Sequence, residues 1–425
     1  MKKAFTLLTF IFILTHFKAQ TFVSGGIFTS TVWTQANSPY IVTGTLVVFP
    51  GVNLTIQPGV TIKFDANAVF EVRGKCSAIG TVNDSIVFTS NLTSPTPGSW
   101  FGIKLVGTST PSISNQLTME YCKGMYADRF IDFDIAYFGP YNFKHCYFAH
   151  NTRVNHDGGL PTINFEHCHF VSNVTALDWP QFGGRVSHSY FLDNVIGTNA
   201  FDRVDSCYFA RNTGTACVTY GPTVGNKIIN NNVGVHGMYN AVNHTFRNNQ
   251  VTDNTVGVEI YSFFNGSVTF TGNTICNNSM WDIKMATNNN ADLANNCWCT
   301  TNITQIKSKI YDGYMNASYG LVNVSPVAAS CNSIAMSISK NELIEHSYVA
   351  PNPFNHNTTI ILNDQNYGLC DLNITDIQGR IVRTEKTEVY QKLILNRNEL
   401  KPGVYFYIIK NGPKTIFRGK FAVND

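Results

Sequence analysis

Over residues 119–278 the chain repeats a nine-residue pattern, apolar at the first and sixth places and polar around them. The windows that begin at Phe143, Phe165, Val186, Val204, Phe246 and Phe270 read FKHCYFAHN, FEHCHFVSN, VSHSYFLDN, VDSCYFARN, FRNNQVTDN and FTGNTICNN. Weaker copies begin at Met119 and Ile228, and the steps between successive starts are 24, 22, 21, 18, 24, 18 and 24 residues. Apolar residues at 3.6-residue spacing would indicate helices, and none recur that way here. A helical repeat would also be longer, and a leucine-rich repeat would show leucines at fixed offsets. β-branched and aromatic residues with many Asn and Gly, at a variable rung length, predict a solenoid of strands: an all-β chain built as a right-handed parallel β-helix.

The first and sixth residues of a window are five apart, so strict alternation cannot bury both. A tight turn must shift the phase between them. The fourth residue is expected in that turn: Cys122, Cys146, Cys168, Ser189, Cys207, Asn231, Asn249 and Asn273. Asn tolerates the left-handed backbone of a sharp bend. Asn side chains stacked rung on rung can also hydrogen-bond along the axis. Cys in the same column reads as a small apolar filler. Disulfides between neighbouring rungs are disfavoured because parallel Cβ vectors give poor torsions. A metal site in that column is not expected.

Both ends of the array carry further strands. Tyr40 to Ser90 contains TGTLVV, LTIQPGVTIKF, AVFEVRG and IVFTS, punctuated by Gly51, Pro58, Gly59, Gly74 and Gly80. This stretch resembles the opening rungs of secreted bacterial β-helix proteins. Asn295 to Pro326 resembles their closing segment, except that Cys299 stands where the group has Gly after an aromatic. Cys297 and Cys299 have Cys276 and Cys331 as possible partners, and the pairing stays open. With 11 cysteines, at least one does not pair within the chain.

The repeat stops at Ser330. Several short alternating strands in the last 80 or so residues predict a small Ig-like β-sandwich. The motifs come in order: Pro351-Asn352-Pro353-Phe354, a turn at Asp376-Ile377-Gln378-Gly379-Arg380, Pro402-Gly403 before an alternating strand, and Gly419-Lys420-Phe421. Together they resemble the type A sorting domain of type IX (Por) secretion. That resemblance implies recognition by the type IX machinery at the outer membrane, then release or attachment at the cell surface. At the other end, Lys2 and Lys3 precede 11 nearly unbroken apolar residues, Ala4 to Leu14. This is too short to span a bilayer and reads as a secretory signal cut between Ala19 and Gln20. The expected organisation is a signal at 1–19, a β-helix at 20–330, a linker at 331–347 and a sorting domain at 348–425, with no transmembrane span.

Charge adds an exclusion. The formal net charge is +3. Without Lys2, Lys3 and Lys18, residues 20–345 hold 17 basic and 20 acidic residues, and residues 346–425 hold 10 and 7. Neither part is a polyelectrolyte suited to nucleic acid.

Candidate chemistry lies on the outward faces. The strand after the last Asn of each window presents His156, Asp178, Asn199, Glu259 and Ile283 on a count of five. Asp157, Asp178 and Asp202 are the candidate catalytic carboxylates, since a glycosidase needs two at a set separation. A lyase needs a base and a cation for the uronate, and Arg153, Arg203 and His236 stand nearby. Trp179 is placed to stack on a sugar. A second stripe, Tyr147, His169, Tyr190 and Tyr208, occupies the fifth place of four consecutive windows, and with Trp179 it forms the candidate glycan-binding set. His145, His167 and His188 align at the third place. No cofactor or metal is implied. The expectation is a secreted or cell-surface protein that binds glycans or other extracellular matter; the alternative is a polysaccharide lyase or hydrolase on the same face.

Overall fold

The computed structural model describes residues 20–107, 116–134, 140–157, 162–178, 183–219, 221–238, 245–261, 269–331, 334, 348–362, 368–389, 392–412 and 414–424. The expected signal lies outside the described residues. The chain divides into two units, Met1–Ile334 and Ala335–Asp425.

The first unit is a parallel β-solenoid. Each complete rung has three short strands and two sharp turns, as in Tyr141–Lys144, Tyr147–Ala149 and Arg153–Asp157. Stacking of successive rungs gives three parallel ladders. The first has 11 strands, from Thr31–Trp33 to Thr269–Thr271. The second and third are joined in a 23-stranded sheet. The second includes Tyr147–Ala149, His169–Val171, Tyr190–Leu192 and Tyr208–Ala210, and the third includes Arg153–Asp157, Thr175–Leu177 and Ile196–Phe201.

The window pattern explains the core. Phe143, Phe165, Val186 and Val204 face inward from the first ladder, and Phe148, Phe170, Phe191 and Phe209 from the second; all are fully buried. The second set stacks ring on ring at centroid spacings of 5.5, 4.6 and 4.5 Å. Phe170 and Phe191 each keep a like ring above and below, while Gly124 and Ile228 stand in register beyond Phe148 and Phe209.

The turns differ from expectation in three respects. First, the left-handed residue is the third of the window, not the fourth. Tyr121, His145, His167, His188 and Ser206 have φ of 50, 52, 52, 51 and 51°. That conformation turns the next side chain inward, so the fourth residue is buried. Cys122, Cys146, Cys168, Ser189 and Cys207 are all at most 1% exposed. Second, the window at Ile228 is out of frame by five residues. The rung begins at Thr223, which pairs with Val204 and Phe246. Gly225 takes the left-handed place at φ 68°, and Asn226 rather than Asn231 joins the column. A rung with Asn at both turns can be framed on either one, and the sequence does not distinguish them. Third, there is a second turn of the same kind, with its own left-handed column including His150, Ser172, Asp193 and Arg211.

Consequently there are two Asn ladders. In the first turn, Asn226 donates through Nδ2 to Oδ1 of Asn249, Asn249 to Asn273, and Asn273 to Asn296, at 3.0, 3.1 and 2.9 Å. In the second, Asn151, Asn173, Asn194, Asn212, Asn231, Asn254 and Asn278 continue the same bond at 2.8–3.2 Å. Asn278 closes this ladder on Asp282 at 2.8 Å. Each Oδ1 also accepts a backbone N–H from the preceding rung, as in Asn151 N to Asn173 Oδ1 at 2.9 Å. The cysteine rungs replace the amide with a buried thiol. Two further thiols lie within strands, Cys76 in the first ladder and Cys217 in the third; burial pushes both up to about 12, so they stay protonated at neutral pH. The seven cysteines outside the disulfides are all buried. The other four form Cys276–Cys299 and Cys297–Cys331, which resolves the open pairing. These bridges fasten the last rungs beside a five-residue helix, Ile303–Lys307, that Asn302 caps.

The second unit has a three-stranded antiparallel sheet, Tyr348–Ala350, Asn357–Ile361 and Lys392–Asn396, and a four-stranded one, Gly368–Asp376, Ile381–Val389, Gly403–Asn411 and Lys414–Val423. Leu372, Ile374, Ile360, Leu395 and Tyr407 are among the residues of their common core, in a small β-sandwich. The opening motif docks on the last strand. Pro351, Asn352 and Pro353 are exposed, while Phe354 is buried against Phe421 with ring centroids 5.6 Å apart. Ala422 N donates to Asn352 Oδ1 at 2.7 Å, and Phe354 N donates to Ala422 O at 3.1 Å. The motif and the chain terminus therefore form one feature. In the Asp376–Arg380 turn, Gly379 has φ 81° and Arg380 bonds the Asp376 carboxylate at 2.7–2.8 Å. Gly419 is required by packing: a Cβ there would lie 2.5 Å from the Tyr407 hydroxyl. Lys420 is exposed and pairs with Phe406, and Pro402 and Gly403 are exposed at the start of their strand.

Candidate functional site

Two outward columns of the solenoid carry the candidate chemistry. One lies on the second ladder, where register aligns Tyr147 with His169, Tyr190 and Tyr208. All four are half-buried, so each ring presents part of its surface to solvent. Successive centroids lie 6.4, 4.7 and 6.1 Å apart, with His169 and Tyr190 stacked within 16° of parallel. Burial raises the Tyr208 phenol above its ordinary value, against the opposing charge of Arg211, so it stays a neutral hydroxyl. Beyond Tyr208 the column continues as Lys227 and Gln250. The aromatic stretch is thus four rungs long.

The other column lies on the third ladder. Register aligns Lys104, Asp132 and His156, and further along His236, Glu259, Lys284 and Tyr311. Asp178 and Asn199 fill the middle: Leu177 pairs with Thr198, and Asn199 Nδ2 donates to Asp178 Oδ1 at 2.9 Å. Carboxylates alternate with basic side chains toward its two ends, and Asn199 and Val218 stand uncharged between them. His156 Nδ1 lies 2.8 Å from Oδ1 of buried Asp132, Arg153 is 2.8 Å from Asp178, and His236 Nδ1 is 2.8 Å from Glu259. Lys284 also bonds Glu259. The hydrogen bond from His236, joined by Lys284, holds the Glu259 carboxyl below its usual range against the effect of burial. A carboxylate on Nδ1 fixes the imidazole and leaves Nε2 for proton transfer, so His156 and His236 each have the local geometry of an oriented acid–base group.

The count of five along this ladder places His156, Asp178, Asn199 and Glu259 in one column and misplaces one member. Ile283 is buried and Lys284 stands in the column, because the turn after Asn278 holds one more residue than the turn after Asn254. His236 enters the column five residues after Asn231, once Asn231 is assigned to the second turn. Asp132 was missed as well: its rung lacks the terminal Asn that guided the count, having Ala127 there.

Of the carboxylates proposed from sequence whose side chains are described, Asp178 and Asp202 do not occupy one column. Asn199, not Asp202, stands one rung beyond Asp178; Asp202 lies at the corner between Ile196–Phe201 and Arg203–Asp205, where burial raises its pKa. The backbone of Asp157 pairs with Phe133, and its side chain lies outside the described residues, as does Trp179.

A third column lies at the first turn, between the first and second ladders. The rings of Tyr121, His145, His167 and His188 stack at centroid spacings of 4.6, 5.1 and 5.1 Å.

Comparison with known proteins agrees with this architecture. Residues 26–128 match the pectate-lyase-like β-helix domain, and residues 348–424 match the secretion system C-terminal sorting domain. No curated protein matches the chain. The chain carries a pectate-lyase-like β-helix domain followed by a C-terminal Por secretion sorting domain. That tail implies handling by the type IX machinery, and it indicates export to an extracellular or cell-surface location. Among the described residues, no helix is long and apolar enough to cross a membrane.

Proposed function

We propose that the solenoid binds an extended glycan along the second ladder, with Tyr147, His169, Tyr190 and Tyr208 as the contact column, and that the sorting domain delivers it to the cell surface or medium. The observation that carries this reading is the half-buried aromatic column repeated once per rung. Rungs repeat at about 4.8 Å, a spacing comparable to one sugar of a linear polysaccharide. Rings held by their neighbours lose little freedom on binding, and sugar C–H faces pack on aromatic surfaces while hydroxyls bond at the rim. The column's end at Lys227 adds a cation for an acidic sugar. Retention on a panel of neutral and acidic polysaccharides tests the proposal. The wild-type chain is expected to be retained by at least one, and the Tyr147→Ala, Tyr190→Ala, Tyr208→Ala triple variant to lose that retention. Unchanged retention of the triple variant would remove the column from the account.

Cleavage is a second reading, favoured by the 2.8 Å contact between His156 Nδ1 and buried Asp132, with Arg153 on the same strand as His156 and Asp178 on the next rung. In β-elimination, His156 Nε2 would take the proton α to a uronate carboxylate. The electron pair forms the C=C bond, and the glycosidic C–O bond breaks as its oxygen takes a proton from solvent water, the hydroxide so formed being neutralised by the proton that His156 releases. Unsaturated uronates absent from His156→Ala and diminished in Asp178→Asn would establish it. No product from any polymer in the panel would reject it.

A further inference from the structure

The histidine turn column carries a feature that neither glycan reading uses. The Glu166 carboxylate and the imidazoles of His167 and His188 each place one potential ligand atom within 4.8 Å of the other two. His167 and His188 are exposed, their rings stack at 5.1 Å, and the two residues occupy the same left-handed place on adjacent rungs. Glu166 precedes His167 and faces outward from the first ladder. Two imidazoles and one carboxylate are the ligand set of borderline divalent ions, with water completing the coordination.

We infer that Glu166, His167 and His188 form a surface site for a divalent ion of the zinc class. An ion bonds these atoms at about 2.0–2.2 Å, so its ligand atoms lie roughly 3–4 Å apart. Rotation of two exposed side chains closes that gap without moving the backbone, which the ladder hydrogen bonds hold: His167 N donates to Ser187 O, and His188 N to Asp205 O. The rung repeat therefore supplies a rigid pair of anchor points, and the ion replaces a ring stack with a chelate. Lys144 competes, with its Nζ 3.1 Å from Glu166 Oε2. His145 stacks on the far side of His167, one rung from the site. The inference does not depend on glycan binding.

Titration calorimetry of the tag-free chain with zinc chloride tests it. Asn is the substitution of choice, because Asn248 and Asn295 already hold this turn position at φ 56 and 59°. His167→Asn and His188→Asn are each expected to weaken zinc binding roughly tenfold or more, about 1.4 kcal/mol. His145→Asn should leave affinity within about a factor of two. Lys144→Ala should tighten binding up to about fivefold, the scale of an exposed ion pair; a surface lysine is a change the fold tolerates, so this arm stands even if a histidine variant is unstable. Equal zinc binding by wild type and the His167→Asn, His188→Asn double variant would overturn the site. So would loss of binding on His145→Asn alone, or weaker binding on Lys144→Ala.

Discussion

At the scale of single residues, the buried asparagines do most to define the turns. Asn173 is 1% exposed and makes four bonds: Nδ2 donates to Asn194 Oδ1 and Phe148 O, and Oδ1 accepts from Asn151 N and Nδ2. Asn173→Ala leaves two buried donors of Asn151 without that acceptor. The expected loss is about 2–3 kcal/mol of unfolding free energy, read as a lower denaturant midpoint by circular dichroism. A change below about 0.5 kcal/mol would mean that the ladder is decorative. Cys168 in the other turn plays a reduced version of that part: its fully buried Sγ lies 3.4 Å from the carbonyls of Phe143 and Glu166 but makes no amide-to-amide bond along the column. The sequence made this column legible as a column. It did not reveal that His145, His167 and His188, one place earlier, are the left-handed residues, because histidine is not the residue first sought at a positive φ.

At the scale of elements, the repeat was readable because inward Phe recurs at both the first and sixth places, and one-rung stacking requires like beside like. The limits were in framing. Around Ile228 both turns carry Asn, so the local pattern fits two registers five residues apart, and only the pairing of Thr223 with Val204 and Phe246 decides between them. The same ambiguity left His236 named beside the column rather than in it, and one additional residue after Asn278 exchanged Ile283 for Lys284. These slips concern turn length, which periodicity does not encode, while strand composition does. The carboxylate set suffered for the same reason. Asp178 and Asp202 look one rung apart by residue count, yet the third ladder ends before Asp202 and the chain has already turned the corner. By contrast, the aromatic stripe aligned as read, since its members sit immediately after the turn, where no insertion intervenes.

At the scale of the whole molecule, the second unit carries the sorting domain, and the proposed recognition belongs to the first. The motifs of the C-terminal unit were legible because they are contiguous. What the sequence did not disclose is that the Pro351–Phe354 opening and the terminal Gly419–Val423 strand are one structure, joined by Ala422 N to Asn352 Oδ1 and by burial of Phe354 on Phe421. Deletion of residues 348–425 is therefore expected to abolish appearance of the protein outside the cell while the solenoid remains folded and detectable in the cell fraction. Export undiminished by that deletion would contradict the role of the tail. What the solenoid meets after export is the central claim, and hydroxyl-radical footprinting with the oligosaccharide that the chain retains best tests it most directly. The account predicts reduced oxidation of Tyr147, His169, Tyr190 and Tyr208 on binding, with His236 and Tyr311 unchanged. Protection confined to the third-ladder column, or no protection of any of the four, would contradict it.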